Sequence, residues 1–292
     1  MRVLVITDLE GVNGVLNFRD WCVPEGRRNE AGCRFLTEEV NAAVEGFFRG
    51  GASEVIIADG HGSGGSIRGE MLDLRAALIR GGQDYPIIYD SVDALAILGQ
   101  HAMAGSANAH LAHTQTEEAV YFKLNDVEVG EFGQLAYAYD EINVPTILAV
   151  GDKALAQEAQ ELIPNIITVA VKEGFNAPQG AECPAANLLD RESSALHYPR
   201  KQILENIEAA AMLAAQKYLA DPANFAIRPL TAPYRASAQY RATSPDKVSN
   251  GFLPLPARLT VTREHSSITA AIKEFYTQLE WSPPDGKQIT EL

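Results

Sequence analysis

Short runs rich in valine and isoleucine alternate with segments of helical periodicity, and this alternation restricts the fold more than any other feature of the chain. The pattern is typical of βαβ units, in which parallel strands form a sheet and helices cover its faces. Strands are predicted at Arg2–Thr7, Glu54–Ala58, Ala94–Leu98 and Pro145–Val150. The predicted fold class is therefore α/β, with a mostly parallel β-sheet flanked by helices.

Two amphipathic segments are predicted to return the chain to this sheet. The first, Cys33–Arg49, ends at a pair of glycines, which favour a helix C-terminus. Its apolar residues fall on one helical face: Leu36, Val40, Ala43, Val44 and Phe47. The second follows Asp152, a residue type that caps helices, and ends before Pro164. Leu155, Ala159 and Leu162 should then face the sheet.

The alternation weakens beyond Val171, through a stretch rich in proline, glycine and alanine at 174–186. A long helix is predicted next, at Gln202–Leu219, with Ile203, Ile207, Ala211 and Leu219 on or near one face. A strand at Arg258–Thr262 and a helix at Ser267–Leu279 follow it. We therefore predict an α/β domain over 1–190, and over 191–292 the long helix plus a small α+β C-terminal domain or extension.

Charge and cysteine usage exclude several classes of protein. The formal net charge of −14 and the pI near 4.9 argue against nucleic acid or an anionic membrane as partner. The three cysteines, Cys22, Cys33 and Cys183, lack the paired spacing of a disulfide scaffold or zinc finger. The apolar run at the N-terminus is too short for a signal peptide, and no stretch approaches a bilayer span. We expect a cytoplasmic protein with reduced thiols.

Acidic residues and histidines follow the predicted strands at the points where the strands end. Asp8 and Glu10 follow the first strand, and residues two apart on an extended chain point to the same side. Asp59 and His61 repeat this arrangement after the second strand, and His101 follows the third. Ligand sites in open α/β sheets lie beyond the carboxyl ends of the strands. These side chains are therefore expected to converge.

Such a mixture of carboxylates and imidazoles suits zinc or a related divalent ion. Four of the six histidines fall within one stretch, as His61, His101, His110 and His113. Taken singly, an Asp-x-Glu after a strand is more often a helix cap, and a lone histidine is more often a packed residue. The coincidence favours a metal site. The sequence contains no phosphate-binding P-loop, nucleophile elbow or dinucleotide-binding motif.

Five motifs occur in an order that resembles the M55 family of metallopeptidases, over roughly residues 1–172. They are Asp8-Leu-Glu-Gly11, Asp59-Gly-His61, Gly99-Gln-His101, Ala112-His113-Thr114 and Val129-Gly-Glu131-Phe-Gly133. The resemblance implies two zinc ions per chain, bridged by Asp8 and held further by Glu10, His61, His101 and Glu131. It also implies a catalytic role for His113, as a nucleophile or as an acid/base group.

Other residues receive weaker assignments. Asp59 becomes a candidate to orient a ligand imidazole, as is common at zinc sites. Spacing alone would not select Glu131 over the nearby Asp126 and Glu128. His197 and His265 are interpreted as structural or surface residues.

The resulting hypothesis is a zinc-dependent aminopeptidase for short peptides, with a D-amino acid at the amino end as one option. The α/β domain over 1–190 would bind the metal and catalyse the reaction. Two alternatives stay open: a metal-dependent amidohydrolase for non-peptide amides, and a non-catalytic metal-binding α/β protein. Because family members form large ring-like oligomers, the resemblance also implies a homo-oligomer.

Overall fold

The structure is a computed structural model, which describes residues 1–62, 64–80, 85–175, 194–240, 258–260 and 264–278. The strands are β1 (Arg2–Thr7), β2 (Glu54–Asp59), β3 (Ala76–Ile79), β4 (Ala94–Gln100), β5 (Ala119–Leu124), β6 (Val127–Glu128), β7 (Thr146–Asp152), β8 (Ile167–Phe175), β9 (Ser194–His197), β10 (Ala236–Tyr240) and β11 (Arg258–Thr260). Seven strands form one sheet in the order β3-β2-β1-β4-β7-β8-β9. All neighbours in it are parallel except β8 and β9.

The α-helices are α1 (Asn29–Arg49), α2 (Glu131–Asp140), α3 (Lys153–Leu162), α4 (Arg200–Ala220) and α5 (Ile268–Gln278). Short 3-10 turns lie at Gly69–Met71 and Pro222–Phe225, and a π-helical turn lies at Phe18–Cys22. A second sheet is antiparallel and has the strand order β11-β10-β5-β6. The central strands β1, β2, β4 and β7 are buried along nearly their whole length, as expected for parallel strands covered on both faces.

The predicted fold class is confirmed, and each of the four predicted strands of the parallel sheet is present. Ala94–Gln100 is the fourth strand rather than the third, because β3 intervenes in the chain and occupies one edge of the sheet. This edge strand is short and only half-buried, so it lacks the strong apolar pattern of the central strands. The strands β5, β6, β8, β9 and β10 were not predicted either.

Both predicted connecting helices are present. Helix α1 begins at Asn29, four residues earlier than predicted, and the five apolar residues assigned to its inner face are all fully buried. Asp152 caps α3, since its Oδ1 accepts a hydrogen bond from Leu155 N at 2.9 Å. Of the four residues predicted to lie on or near one face of α4, Ile203, Ile207 and Ala211 are buried, whereas Leu219 is 51% exposed. It lies beside Gly51, just past the end of α1.

Elements from the C-terminal third pack against the N-terminal part. Helix α4 lies on α1 and β8, strand β9 completes the large sheet, and β10 pairs with β5. The predicted domain boundary at residue 190 falls in 176–193, outside the described residues, and the two-part division stays a prediction. Of the predicted final strand and helix, the structure describes Arg258–Thr260 and Ile268–Gln278. None of the helices in the described ranges has the length and apolarity needed to cross a membrane.

Candidate metal centre

The order of the central strands brings the candidate ligands together. Strand β1 lies between β2 and β4, and all three are parallel, so their carboxyl ends meet at one edge. Asp8, His61 and His101 each follow one of these ends. The backbone is packed tightly here: Gly11 N donates to Gly99 O at 2.7 Å, and a Cβ atom at Gly11 would lie 2.0 Å from Gln100 O. No side chain fits at that position.

Asp8, Glu10 and His61 form the first of two ligand groups. His61 Nδ1 lies 2.9 Å from Asp8 Oδ1 and 3.1 Å from Glu10 Oε2. Asp8 is also held by Leu9 N, which donates to its Oδ1, and by the Gln100 amide, which donates to its Oδ2 at 2.9 Å. The carboxylates are buried and point toward the imidazole.

His101, His113 and Glu131 form the second group. His101 Nε2 lies 3.2 Å from Asp8 Oδ2 and 3.5 Å from Glu131 Oε1, and His113 Nε2 lies 3.9 Å from the same Glu131 oxygen. Glu131 is the first residue of α2, where the helix dipole favours a carboxylate. Asp8 therefore presents one oxygen to each group.

Each of the three imidazoles has its other ring nitrogen next to a main-chain carbonyl. His61 Nε2 lies 2.7 Å from the carbonyl oxygen of Cys22, and His101 Nδ1 lies 2.9 Å from that of Ala102. His113 Nδ1 lies 3.0 Å from the carbonyl oxygen of Leu111. A carbonyl can only accept, so each of these nitrogens carries the proton. The opposite nitrogens face the carboxylates, as metal-binding histidines do.

This arrangement fits a bound cation. An imidazole nitrogen without a proton and a carboxylate oxygen repel each other at about 3 Å unless a proton or a metal ion lies between them. Two buried atoms at the centre, Glu10 Oε2 and His101 Nε2, make no hydrogen bond within the described part of the chain. The mixed oxygen and nitrogen donor set matches the preferences of zinc. The residues present therefore fit the metal that the sequence predicts.

The charges of the two groups support this conclusion. Burial disfavours the charged form of Asp8, but His101 and His61 outweigh it and hold the pKa of that carboxyl well below its usual value. Burial likewise opposes protonation of His61, yet Glu10 and Asp8 hold its pKa well above its usual value. Positive charge is thus favoured between the carboxylates. His113 differs, because burial and the neighbouring His101 lower its pKa.

All six residues proposed from the sequence meet at this centre: Asp8, Glu10, His61, His101, His113 and Glu131. The other histidines lie outside both groups. His197 Nδ1 accepts a hydrogen bond from Gly14 N, His110 packs edge-on against His197, and His265 pairs with Glu274.

The role expected for Asp59 is not the one that the structure shows. Its Oδ2 accepts a hydrogen bond from Ile67 N at 2.8 Å and so holds the loop after β2. The imidazoles are oriented by main-chain carbonyls instead. Sequence reasoning missed those carbonyls, because any residue type can supply one. It also assigned no role to Gln100, although this residue stands in the Gly-Gln-His motif.

A buried polar network fixes the backbone that carries Glu10. Lys172 is fully buried and donates to the carbonyl oxygens of Glu10 and Val15, at 2.5 and 3.2 Å. Asn13 N donates to Glu39 Oε1 at 3.0 Å, and the Asn13 amide donates to the carbonyl oxygen of Val171 on β8. The loop after β1 is therefore held from both α1 and β8.

Glu39 should make the stability of the protein depend on pH. Burial raises its pKa to about 7, although the Arg200 charge opposes this shift. Because the folded-state pKa exceeds the ordinary value of 4.5, ionisation of Glu39 destabilises the folded state as pH rises from about 4.5 to 7. We expect Glu39→Gln to raise the free energy of unfolding by about 3 kcal/mol at pH 8 and by less than about 1 kcal/mol at pH 5. Urea unfolding at both pH values measures the difference.

Glu38→Gln provides the matched control. Glu38 precedes Glu39 on α1 and pairs with the same arginine, with its Oε2 at 2.7 Å from Arg200 Nε, but its side chain is 35% exposed. Breaking a partly exposed pair should change the free energy of unfolding by at most about 1 kcal/mol. An equal gain for Glu39→Gln at pH 5 and pH 8 would contradict the prediction.

Comparison with known proteins supplies evidence on the family of this chain that does not depend on the geometry of the site. Residues 1–244 match the model of the peptidase M55 family, described as D-aminopeptidase. The match extends from the first strand through α4 and β10 and so includes both ligand groups.

Two relatives show how far the similarity extends. The D-aminopeptidase of Bacillus subtilis (strain 168) is 34% identical, in an alignment that covers 59% of this chain and 64% of that protein. The chain thus matches a little under two thirds of the length of this relative. A solved structure, that of the zinc-dependent D-aminopeptidase DppA from Bacillus subtilis, a self-compartmentalizing protease, superposes with a TM-score of 0.75. It covers 96% of this chain and 97% of its own at 23% identity, which shows that the fold is shared.

Proposed function

The chain belongs to the M55 peptidase family, and on that basis we propose that it is a zinc-dependent aminopeptidase that hydrolyses short peptides at a binuclear centre. The observation that carries the proposal is the set of three imidazoles, one buried and two half-buried, each fixed through one nitrogen by a main-chain carbonyl while the other nitrogen faces carboxylates. Asp8, Glu10 and His61 would hold one ion. Asp8, His101 and Glu131 would hold the other.

When bound, the two ions would supply the Lewis acidity that polarises a peptide carbonyl and activates water. The protein supplies the proton transfer. His113 has its Nδ1 proton engaged by the Leu111 carbonyl, so its Nε2 is the nitrogen available to give or take a proton, or to attack a carbonyl. Its lowered pKa keeps Nε2 unprotonated near neutral pH, as a base or nucleophile requires.

The carboxyl groups around the centre suit a substrate with a cationic amino end. Burial and the nearby carboxylates of Glu118 and Glu10 raise the pKa of Glu117 to about 8, so this carboxyl is largely neutral at pH 7 and would ionise beside a cationic group. A positively charged α-amino group approaching this centre would be attracted. The proposal therefore specifies aminopeptidase activity, with peptides that begin with a D-amino acid as the first candidates, since the family and both relatives are described as D-aminopeptidases.

We further propose that the chain assembles into a homo-oligomer, because the structural relative with the same fold is described as self-compartmentalizing. Light scattering of the purified protein tests this part of the proposal, and a monomer at micromolar concentration would contradict it.

Metal content and a substrate panel test the activity. Protein purified without chelator should contain about two zinc ions per chain, lose activity on chelation and regain it with zinc. The panel compares D- and L-aminoacyl amides with cyclic and N-acyl amides, and we expect turnover of the aminoacyl amides only. Less than one divalent ion per chain, together with no activity after zinc addition, would overturn the proposal. Turnover of the cyclic or acyl amides alone would indicate an amidohydrolase.

A further inference from the structure

We propose that the π-helical turn Phe18–Cys22 is a positioning element that holds His61 and His113 at the same time, and that Phe18 is the side chain through which it fixes His113. The expected effect of this positioning on kcat rests on the proposed function. π-Helical turns are rare and occur frequently at functional sites. This one lies directly against the candidate metal centre.

The turn contacts His61 through its backbone. The Cys22 carbonyl oxygen lies 2.7 Å from His61 Nε2, and an acceptor at this place keeps the proton on Nε2. His61 Nδ1 is thereby left to face Asp8 Oδ1 at 2.9 Å. Within the first ligand group, the turn thus determines which imidazole nitrogen is presented to the metal position.

The turn contacts His113 through a side chain. The Phe18 ring meets the His113 ring edge-on, with centroids 5.2 Å apart and an interplanar angle of 83°. His113 also stacks on His101, with centroids 3.7 Å apart. Together with the hydrogen bond to the Leu111 carbonyl, these two ring contacts fix the plane of the imidazole. Phe18 is 9% exposed, so its ring forms part of the wall around His113 rather than a free surface.

The turn is itself rigidly held, independently of the histidines. Asn17 Oδ1 accepts from Asp20 N at 2.7 Å at its start, and both carboxylate oxygens of Asp20 pair with Arg27 at 2.9 Å. Arg28 N donates to the Asp20 carbonyl oxygen at 2.8 Å, immediately before α1. A Cβ atom at Gly26 would lie 2.5 Å from that same oxygen, so glycine is required for this closure. Asn17 and the segment 26–28 that leads into α1 therefore hold the turn.

A positioning role makes a distinct kinetic prediction. Removing the ring with Phe18→Ala should free His113 to rotate without removing any metal ligand. We expect kcat to fall by about tenfold or more, with KM and zinc affinity within about twofold of the unmodified protein. Phe18→Leu keeps apolar bulk and should recover most of kcat. Trp21→Leu is the matched control, since Trp21 lies on the same turn but stacks on Phe35 of α1.

The measurements use the full-length, zinc-loaded protein. Steady-state kinetics on a D-aminoacyl anilide give kcat and KM, and competition with a chromogenic chelator gives zinc affinity. Unchanged kcat in Phe18→Ala would overturn the inference, and so would an equal loss of kcat, zinc affinity and thermal stability, because that result indicates a purely structural role.

A second measurement tests the positioning of His113 without requiring catalytic turnover. Imidazole ¹⁵N–¹H spectra should show a protected Nδ1–H proton of His113, assigned by its absence in His113→Ala. In Phe18→Ala this signal should broaden or disappear, whereas it should persist in Trp21→Leu. If the unmodified protein hydrolyses no aminoacyl substrate, the proposed function fails, and the spectra still decide the positioning role. An unchanged His113 signal in Phe18→Ala would refute it.

Discussion

Replacing Asp8 with alanine is expected to empty both proposed metal positions and to reduce the proposed aminopeptidase activity by at least about 10³-fold, since loss of metal assistance removes several kcal/mol of transition-state stabilisation. Asp8 is the residue that faces both ligand groups: its Oδ1 lies 2.9 Å from His61 Nδ1, and its Oδ2 lies 3.2 Å from His101 Nε2. Elemental analysis of the desalted protein gives the zinc-to-chain ratio, and initial rates on a D-aminoacyl amide give the activity.

Two further variants serve as comparisons for Asp8→Ala. Among the ion pairs of the described residues, Glu10 takes part in the one with His61, at 3.1 Å, so Glu10→Gln should weaken binding of one zinc ion and leave about one per chain. Asp59→Asn changes an acid of the same type at the end of the neighbouring strand, where it bonds Ile67 N, and should retain both ions. Retention of a full zinc ion by Asp8→Ala would show that Asp8 is not the shared ligand.

The part of the site that could be predicted from spacing is the part that the parallel sheet itself positions. Asp8, Glu10, His61 and His101 all follow strand ends within a few residues, and in an open sheet those ends converge whatever the loops do. The apolar pattern locates the strands, so it also locates these side chains. The prediction needed no knowledge of distant contacts.

Glu131 and His113 could not be placed in this way. Glu131 opens α2, and His113 lies in the long connection between β4 and β5, so their approach to the metal centre depends on packing between remote segments. Glu158 on α3 is an example of such packing, because its carboxylate accepts hydrogen bonds from Met103 N at 2.8 Å and from Gly130 N at 3.2 Å. The buried Glu158 side chain thus joins the connection that carries His113 to the residue just before Glu131. From sequence alone a glutamate on a helix is expected to be solvent-exposed, and only the family resemblance pointed to Glu131 and to the role of His113.

The unpredicted strands have the same physical origin. Among the described strands, β3 pairs with β2 alone and is half-buried, so burial imposes little pattern on its four residues. Strand β10 depends on β5, which lies more than a hundred residues away in the chain. The β-propensity of a segment depends on its partner strands, so it is a weak guide to strands that pair with distant parts of the chain. The central strands were predictable because both of their faces are buried.

His113→Ala is expected to lower kcat by about 10²-fold to 10⁴-fold while the protein keeps the two zinc ions proposed for it. The imidazole approaches the carboxylates of the centre less closely than His101 does: its Nδ1 is held by the Leu111 carbonyl, and its Nε2 lies 3.9 Å from the nearest oxygen of Glu131. His101 approaches the same oxygen more closely, at 3.5 Å, and also faces Asp8. Removing His113 should therefore remove proton transfer or attack and leave the ligands of both ions in place.

His110→Ala is the matched control, because His110 lies on the same connection, is buried, and packs against His197 outside both ligand groups. It should lose stability but keep turnover. Loss of one zinc ion in His113→Ala would identify His113 as a third ligand beside His101 and Glu131, a geometry that their proximity permits. Unchanged kcat and unchanged zinc would instead show that His113 takes no part in catalysis. If turnover falls as expected, pre-steady-state kinetics of the unmodified enzyme separate the two chemical roles of Nε2, since a covalent intermediate that accumulates gives a burst of the first product and a general base gives none.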